Sequence, residues 1–283
     1  MIETEKLPVR KVLKETGVSV GSWYDKREKK TDKVKRGPKP KVSDEMVLAE
    51  VKEYLKAPIF FNEGYKKLKV RLEEERGIKV AKDRLRRILK ESNLLLGQRN
   101  RQRVSPYQHT GIIKTTEPNK MWGTDIKEFY LNFGKVFLFS VLDHCYGNIP
   151  GHYISSKKTA IAATEAVKNA VKKEFKDLTK EICKDQQLVL RTDNGSQYES
   201  KTFKKEAEYL GLATSFTMVK SPESNGIIER FHRTVNEQLG SLNRANTFDE
   251  AQIILNEFIE RFNQKWLYHK NKLIRIEQIA LRG

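Results

Sequence analysis

The feature that most constrains the fold is a change of pattern near residue 119, where short β-rich runs begin to alternate with helices. Three runs separated by turn residues come first and predict an antiparallel meander over 121–131, 135–143 and 149–155. Two more strands are predicted over 187–191 and 213–218. Helical periodicity predicts helices between and after the strands, over 159–176, 202–210, 226–242 and 247–263. A meander followed by alternating strands and helices predicts a mixed α/β sheet.

Positive charge is concentrated in the first part of the chain. Residues 1–114 carry 30 Lys or Arg and 16 Asp or Glu, a net charge of +14. Residues 115–283 carry 25 Lys or Arg and 21 Asp or Glu, a net charge of only +4. A basic segment followed by a nearly balanced globular region is typical of proteins that bind a polyanion such as nucleic acid. A Lys-rich soluble surface is the alternative, but it does not account for the asymmetry.

Two helical segments are predicted before the sheet. In residues 1–27, a helix, a break at Gly17 and a second helix capped by Ser19 indicate either a DNA-contacting helix-turn-helix or an ordinary helical hairpin. Residues 43–95 predict a three-helix module, which is a candidate for DNA binding. Its third helix carries four basic side chains that either contact DNA or form a solvated face: Arg84, Arg86, Arg87 and Lys90.

Two basic, weakly apolar stretches, 28–42 and 96–118, are predicted to be linkers. Cys145 and Cys183 are the only cysteines, and their wide separation predicts no disulfide framework and a reducing, cytoplasmic setting. The histidines form no Cys/His cluster, so no structural zinc site is expected. No apolar run is long enough for a membrane span, and we expect no membrane partner.

Three acidic residues stand out within the predicted sheet region. Asp125 lies in the first strand, Asp193 follows the fourth, and Glu229 lies in the first turn of an amphipathic helix, with 35 residues between the last two. Two strands and one helix face can bring three carboxylates together. Hard divalent cations prefer such oxygen ligands, and a pair of these ions can drive in-line phosphoryl chemistry. His232 and Arg233 share the helix face of Glu229, although an isolated Glu beside an Arg is usually an ordinary surface residue.

Taken together, these segments resemble the catalytic core of retroviral-type integrases and bacterial insertion-sequence transposases, the DDE superfamily. The matching motifs are Trp122-Gly-Thr-Asp125-Ile, Thr192-Asp193-Asn-Gly-Ser-Gln-Tyr198 and Ser221-Pro-Glu-Ser-Asn-Gly226-Ile-Ile-Glu229-Arg-Phe. The resemblance implies an RNase H-like core over 119–245, with a mixed five-stranded sheet flanked by helices, and a C-terminal helical extension over 246–283. Residues 43–95 resemble the helical module that precedes this core in second-reading-frame transposases.

The resemblance also implies a mechanism. Asp125 would bridge two Mg²⁺ or Mn²⁺ ions, Asp193 would hold one of them, and Glu229 the other. The implied activity is cleavage of DNA ends and transfer of their 3′ ends to new DNA by an oligomer bound to double-stranded DNA at the prokaryotic nucleoid. A mobile loop over 217–225 would lie beside the scissile phosphate, and the expected DNA contacts near it are Lys220, His232 and Arg233.

Other residues qualify this interpretation. Asp143 also ends a strand, but we expect it to be structural, and strand alternation directs Glu128 to the sheet face opposite Asp125. Asn236 stands where the family usually has a DNA-gripping Lys or Arg. Near the C-terminus, Tyr268-His-Lys-Asn271 stands where the family commonly has an Arg-Pro-His segment. These two departures leave two alternatives open: a DNA-binding protein or repressor without catalytic activity, and a nuclease of the same fold that only hydrolyses.

Overall fold

The structure is a computed structural model that describes residues 8–27, 41–97, 115–216, 226–270 and 272–275. Internal contacts divide the chain into two compact units, Met1–Ser43 and Asp44–Gly283. The predicted loop over 217–225, including Lys220, lies outside the described residues, as do most of the two predicted linkers. Among the described residues, no helix has both the length and the apolar character needed to cross a bilayer.

The first unit contains the two predicted helices, α1 (Val9–Thr16) and α2 (Val20–Arg27). Gly17 ends α1 with a φ of 68°, a left-handed conformation that glycine adopts without steric cost. The Ser19 hydroxyl accepts a hydrogen bond from the Ser22 backbone N–H at 3.1 Å and so caps α2.

The second unit begins with the three-helix module, made of α3 (Asp44–Lys56), α4 (Tyr65–Arg76) and α5 (Lys82–Glu91). Apolar side chains at helical spacing on all three helices are fully buried, among them Val47, Val51, Leu72 and Leu85. The module therefore has an apolar core of its own.

The sheet follows, with five strands in the order β3-β2-β1-β4-β5. The three strands of the predicted meander, β1 (Met121–Leu131), β2 (Gly134–Asp143) and β3 (Gly151–Ser155), pair antiparallel. β4 (Val189–Thr192) and β5 (Ala213–Phe216) add parallel strands beside β1, so the sheet is mixed as predicted.

Helices cover both faces of the sheet because residues of β2 alternate between two apolar clusters. Phe137, Phe139 and Val141 pack with α6 (Ala160–Phe175) and α8 (Lys201–Tyr209). Leu138 and Leu142 pack on the other side with α9 (Gly226–Gln238) and α10 (Phe248–Lys265). The arrangement is an RNase H-like core with helices in front of it along the chain.

The elements around this core differ from the prediction in three places. A short helix, α7 (Ser196–Glu199), was not predicted between β4 and α8. Helix α9 ends at Gln238, and a 3₁₀ helix at Gly240–Arg244 follows it. The helical prediction for 246–283 is wrong for the described residues after Lys265, because an antiparallel hairpin of β6 (Leu267–Lys270) and β7 (Lys272–Arg275) follows α10.

A buried ion pair joins the three-helix module to the core. Arg71 on α4 is fully buried, and its Nε and Nη2 atoms lie 2.9 and 3.2 Å from the two carboxylate oxygens of Glu63. Arg71 Nη2 also donates to the Lys265 carbonyl at the end of α10, at 2.7 Å. The charges of Arg71 and Glu63 compensate each other. The hydrogen bond from Arg71 to the Lys265 carbonyl ties α4 to the core.

The loop before α4 makes two further contacts at this junction. Phe60 is 1% exposed and belongs to the apolar cluster beneath α9 and α10. The Gln238 side-chain amide forms two hydrogen bonds with the backbone of Phe61, each 2.7 Å long. Together with the ion pair, these contacts form the module–core junction.

Candidate active site

Strand register brings the first two predicted acids to one edge of the sheet. β1 and β4 run parallel, with Trp122 opposite Leu190 and Gly123 opposite Arg191. The same register continued for two residues brings Asp125 beside Asp193, just after β4 ends at Thr192. A strand interior and a strand end thus bring two carboxylates together.

Glu229 reaches the same region from the first turn of α9. Burial is the main cause that raises the pKa of Asp125 to about 6, and the negative charges of Asp193 and Glu229 raise it further. The Ile126 backbone N–H donates to Asp125 Oδ1 at 2.7 Å, which opposes this shift. The three carboxylates therefore interact through one local field.

The Asp193 side chain is fixed by the turn that follows β4. Its Oδ1 accepts a hydrogen bond from the Gly195 backbone N–H at 2.9 Å. A Cβ at position 195 would lie 2.8 Å from that same oxygen, so a larger residue there would displace the Asp193 carboxylate. After this turn, in α7, the hydroxyl of the buried Tyr198 forms a hydrogen bond with the hydroxyl of Thr124, at 3.2 Å. Thr124 is the neighbour of Asp125 in β1.

His232, which was predicted to contact DNA, is buried in the structure, with only 9% of the residue exposed. Its Nδ1 is 3.5 Å from Asp125 Oδ2, and its Nε2 is 3.4 Å from the Ser140 hydroxyl. Burial, with a smaller contribution from Lys127, lowers the pKa of His232 to about 4. The imidazole is therefore neutral near pH 7, and it lies beside Asp125 on the side of the sheet that α9 covers.

The other predicted DNA-contact residues differ in exposure. Arg84 Nε lies 2.7 Å from Asp44 Oδ1, and Arg87 Nη2 lies 2.5 Å from Asp44 Oδ2, so one carboxylate at the start of α3 holds both guanidinium groups. Arg86 and Lys90 are exposed on α5. Two of the four basic side chains on α5 thus pair with an acidic side chain of the same module, and the other two are exposed.

On α9, Arg233 is exposed one turn after Glu229, and Asn236 is exposed on the next turn. Arg233 has no ion-pair partner among the described residues. The predicted contact at Lys220 lies outside the described part of the chain.

The two acids that the sequence interpretation set aside have other surroundings. Asp143 is 1% exposed and accepts hydrogen bonds from the backbone N–H groups of Asn119 and Cys145 at 2.7 and 2.6 Å. Asp143 thus closes the turn at the end of β2. The Glu128 carboxylate pairs with Lys135 across the β1–β2 hairpin, at 2.8 Å.

Lys158 is a charged residue near the site that the sequence interpretation missed. It is exposed in the connection between β3 and α6, and its positive charge lowers the pKa of Asp125 against the larger effects described above. The sequence could have indicated Lys158 by its position just after a strand of the predicted sheet.

Among the described residues, no three His, Cys, Asp or Glu side chains are already grouped closely enough to hold a metal ion. The donor chemistry at the sheet edge nevertheless fits a hard divalent cation, because Asp125, Asp193 and Glu229 all supply carboxylate oxygens. The raised pKa of Asp125 supports this fit, since a bound cation would offset the repulsion among the three groups.

The site lies within the segment that matches a known family model. Residues 124–244 match the TnsB C-terminal domain. This segment begins one residue before Asp125 and extends past Glu229, so it contains all three carboxylates.

Curated relatives come from bacterial insertion sequences. The putative transposase InsK for insertion sequence element IS150 of Escherichia coli K12 is 25% identical over 159 residues, which are 56% of this chain and 53% of that protein. The chain thus spans about half the length of this relative. The insertion element IS600 uncharacterized 31 kDa protein of Shigella sonnei is 27% identical over 253 residues, which are 86% of this chain and 89% of that protein.

Among solved structures, a chain of the simian T-cell lymphotropic virus intasome, in complex with PP2A regulatory subunit B56 gamma, has the same fold. The match has a TM-score of 0.50 and 17% sequence identity, and covers 81% of this chain and 73% of that chain. The mixed sheet with helices on both faces is therefore the fold of an integrase-like core. The family model and the insertion-sequence relatives, together with this fold, support a resemblance of the chain to DDE-type insertion-sequence transposases.

Proposed function

We propose that this protein cuts the DNA ends of a mobile element and joins their 3′ ends to new DNA, with divalent metal ions held by Asp125, Asp193 and Glu229. The observation that carries the proposal is the convergence of these carboxylates at one sheet edge, where burial, and then the charges of Asp193 and Glu229, raise the pKa of Asp125 to about 6. A largely buried carboxylate beside two further carboxylates costs the folded protein stability, and such arrangements are characteristic of functional sites.

Each residue has a distinct role in this proposal. Asp125 would ligate both ions, while Asp193 and Glu229 would each ligate one. When bound, two Mg²⁺ or Mn²⁺ ions supply an activated nucleophile and charge stabilisation at the leaving oxygen. The Gly195 N–H holds the Asp193 carboxylate in one orientation, and the neutral His232 limits access of water to Asp125 from below.

DNA is the substrate that best suits the charge distribution. The chain carries a net charge of +18, and exposed cations lie next to the carboxylate site at Lys158 and Arg233. We expect the affinity for DNA to fall steeply with salt, with a log–log slope of about 0.9 for each phosphate contact. We also expect the working unit on DNA to be an oligomer of this chain, in the bacterial cytoplasm.

The test is strand transfer on a labelled duplex that carries the element's terminal sequence, with Mg²⁺ or Mn²⁺. Glu229→Gln should reduce joined products by at least about a thousandfold, because one metal ligand loses its charge. Glu257→Gln, at an exposed position on α10, is the matched control and should behave as wild type. Equal strand transfer by Glu229→Gln and wild type would contradict the role of Glu229.

Two alternatives give different products in the same assay. A DNA-binding protein without catalytic activity, which the exposed Asn236 in place of a cation favours, would bind the duplex but give neither nicks nor joined products. A nuclease of the same fold would give nicks alone. Asn236→Lys separates the first alternative from the proposal, because a gain of joined products would show that the remaining machinery is intact.

A further inference from the structure

A cavity of about 460 Å³ opens beside α9, between that helix, α10 and the loop leading into α4. We call it the Trp266 cavity. The side chains that matter for its chemistry are three aromatic and three basic residues: Phe61, Tyr65, Trp266, Lys67, Arg230 and Arg233. Its volume lies in the range of small-ligand sites, which suits a single nucleotide.

The aromatic side of the cavity is rigid. Phe262 stacks on Trp266 with ring centroids 5.3 Å apart, and Phe60 meets the same ring edge-on at 4.9 Å. The backbone of Phe61 is held on both sides by the Gln238 amide, yet the Phe61 side chain is 57% exposed. An exposed aromatic ring on a fixed backbone is a ready stacking surface for a nucleobase.

The charged side of the cavity is positive. The Lys67 ammonium lies 3.2 Å from the centroid of the Trp266 ring, which holds a cation at the cavity wall. Arg230 and Arg233 are exposed and have no ion-pair partner among the described residues. Of the two acids that line the cavity, Glu63 pairs with Arg71. The two exposed guanidinium groups, Arg230 and Arg233, favour a phosphate-bearing ligand.

Helix geometry connects the cavity to the carboxylate site. At about 100° per residue, Arg230 and Arg233 lie on the same flank of α9, between the face of Glu229 and the cavity. Arg233 is one turn along the helix from Glu229. A DNA strand whose phosphate lies beside Glu229 therefore meets Arg233 before it reaches the aromatic wall.

We infer that the Trp266 cavity receives one unstacked nucleotide of the DNA strand bound at the carboxylate site. Its base stacks on Phe61, and its flanking phosphates contact Arg230 and Arg233. The inference rests on the proposed function, since it takes the bound strand to be the one that is cut.

Photo-crosslinking tests this inference directly. Duplexes carrying the element's terminal sequence are made with 5-iodo-2′-deoxyuridine at successive positions near the cut 3′ end, and irradiated with the full-length protein. We expect one position to crosslink strongly, and mass spectrometry to map the adduct to a peptide containing Phe61, Tyr65 or Trp266. Phe61→Ala should abolish this crosslink and weaken binding of the duplex about tenfold, since one base–aromatic stack is lost.

Two further variants control this experiment. Phe133→Ala removes a half-exposed ring in the β1–β2 turn, outside the cavity, and should leave the crosslink unchanged. Phe61→Trp keeps an aromatic surface and should retain the crosslink, so retention in this variant with loss in Phe61→Ala would assign the crosslink to an aromatic ring at position 61.

Each outcome separates this inference from the proposed function. Strand transfer by the wild type, with crosslinks confined to peptides outside the cavity, would overturn the cavity proposal and leave the function standing. A crosslink at Phe61 without any DNA cleavage would support the cavity and contradict the catalytic proposal. The absence of any crosslink, with duplex binding unaffected by Phe61→Ala, would also exclude a nucleotide as the occupant.

Discussion

The module–core junction and the carboxylate site both bury charge, but they treat it in opposite ways. At the junction, the Arg71 and Glu63 side chains are 0% and 3% exposed, and each meets its opposite charge through two hydrogen bonds. At the carboxylate site, burial raises the pKa of Asp125, two further negative groups raise it more, and the adjoining His232 is neutral.

This contrast separates a structural role from a proposed functional one. A buried pair with compensated charge holds two parts of a molecule together once they have folded, and needs no other group. Like charges held close together destabilise the folded state until a cation arrives. The first arrangement fixes the position of the three-helix module, whereas the second leaves a site whose energy a ligand can lower.

The largest expected effect comes from breaking the junction on one side. Arg71→Met should lower the free energy of unfolding by about 3–5 kcal/mol, because the Glu63 carboxylate stays buried without its partner and the Lys265 carbonyl loses a donor. Urea denaturation followed by circular dichroism measures this change.

The double variant Arg71→Met/Glu63→Leu is the control, since it removes both charges. It should recover most of the loss, because well-packed apolar residues often replace a buried ion pair at little cost. If the double variant is as unstable as Arg71→Met alone, packing rather than charge compensation dominates the junction.

The second effect has the opposite sign. In metal-free buffer at pH 7.5, Asp125→Asn should raise the free energy of unfolding by about 1–3 kcal/mol, because it removes an ionised group whose pKa is raised from 3.8 to about 6. The folded state holds the Asp125 proton more tightly than the unfolded state. The stability of the wild type therefore falls as the pH rises from about 4 through 6.

The pH dependence gives this second prediction its control. At pH 4 Asp125 is already protonated in the folded wild type, so Asp125→Asn should have little effect there. Thermal denaturation of both proteins at the two pH values measures the difference. If Asp125→Asn destabilised the protein equally at both pH values, the ionised Asp125 would not destabilise the folded state.

The sequence predicted the sheet well because its signals are local. Alternating apolar runs, turn residues and helix caps are written in neighbouring positions, and the five strands and the helices on both faces follow from them. The edge shared by Asp125 and Asp193 was also accessible, since parallel strands place equivalent positions side by side. The C-terminal hairpin was missed because its strands are short and carry mixed polarity.

Long-range partners were not predictable in the same way. Asp44 lies 40 residues before Arg84 and 43 before Arg87, so nothing local indicated that it holds both. His232 shares a nominal helix face with Glu229, yet the sheet beneath α9 buries it, because α9 packs against the side of β1 and β2 that carries Asp125 and Ser140. The Arg71–Glu63 junction likewise depends on how the module docks on the core.

The smallest effect tests whether the strain at the carboxylate site is relieved by a cation. With Mg²⁺ at tenfold its dissociation constant, the wild type should gain about 1.4 kcal/mol in its free energy of unfolding. Asp125→Asn should lose this gain, whereas Arg71→Met, though far less stable, should keep it because the proposed ligands are intact. Chemical denaturation with Mg²⁺ or with EDTA measures both. If Mg²⁺ stabilised Asp125→Asn and wild type equally, the ion would bind elsewhere, and the contrast between compensated junction and ligand-dependent site would fail.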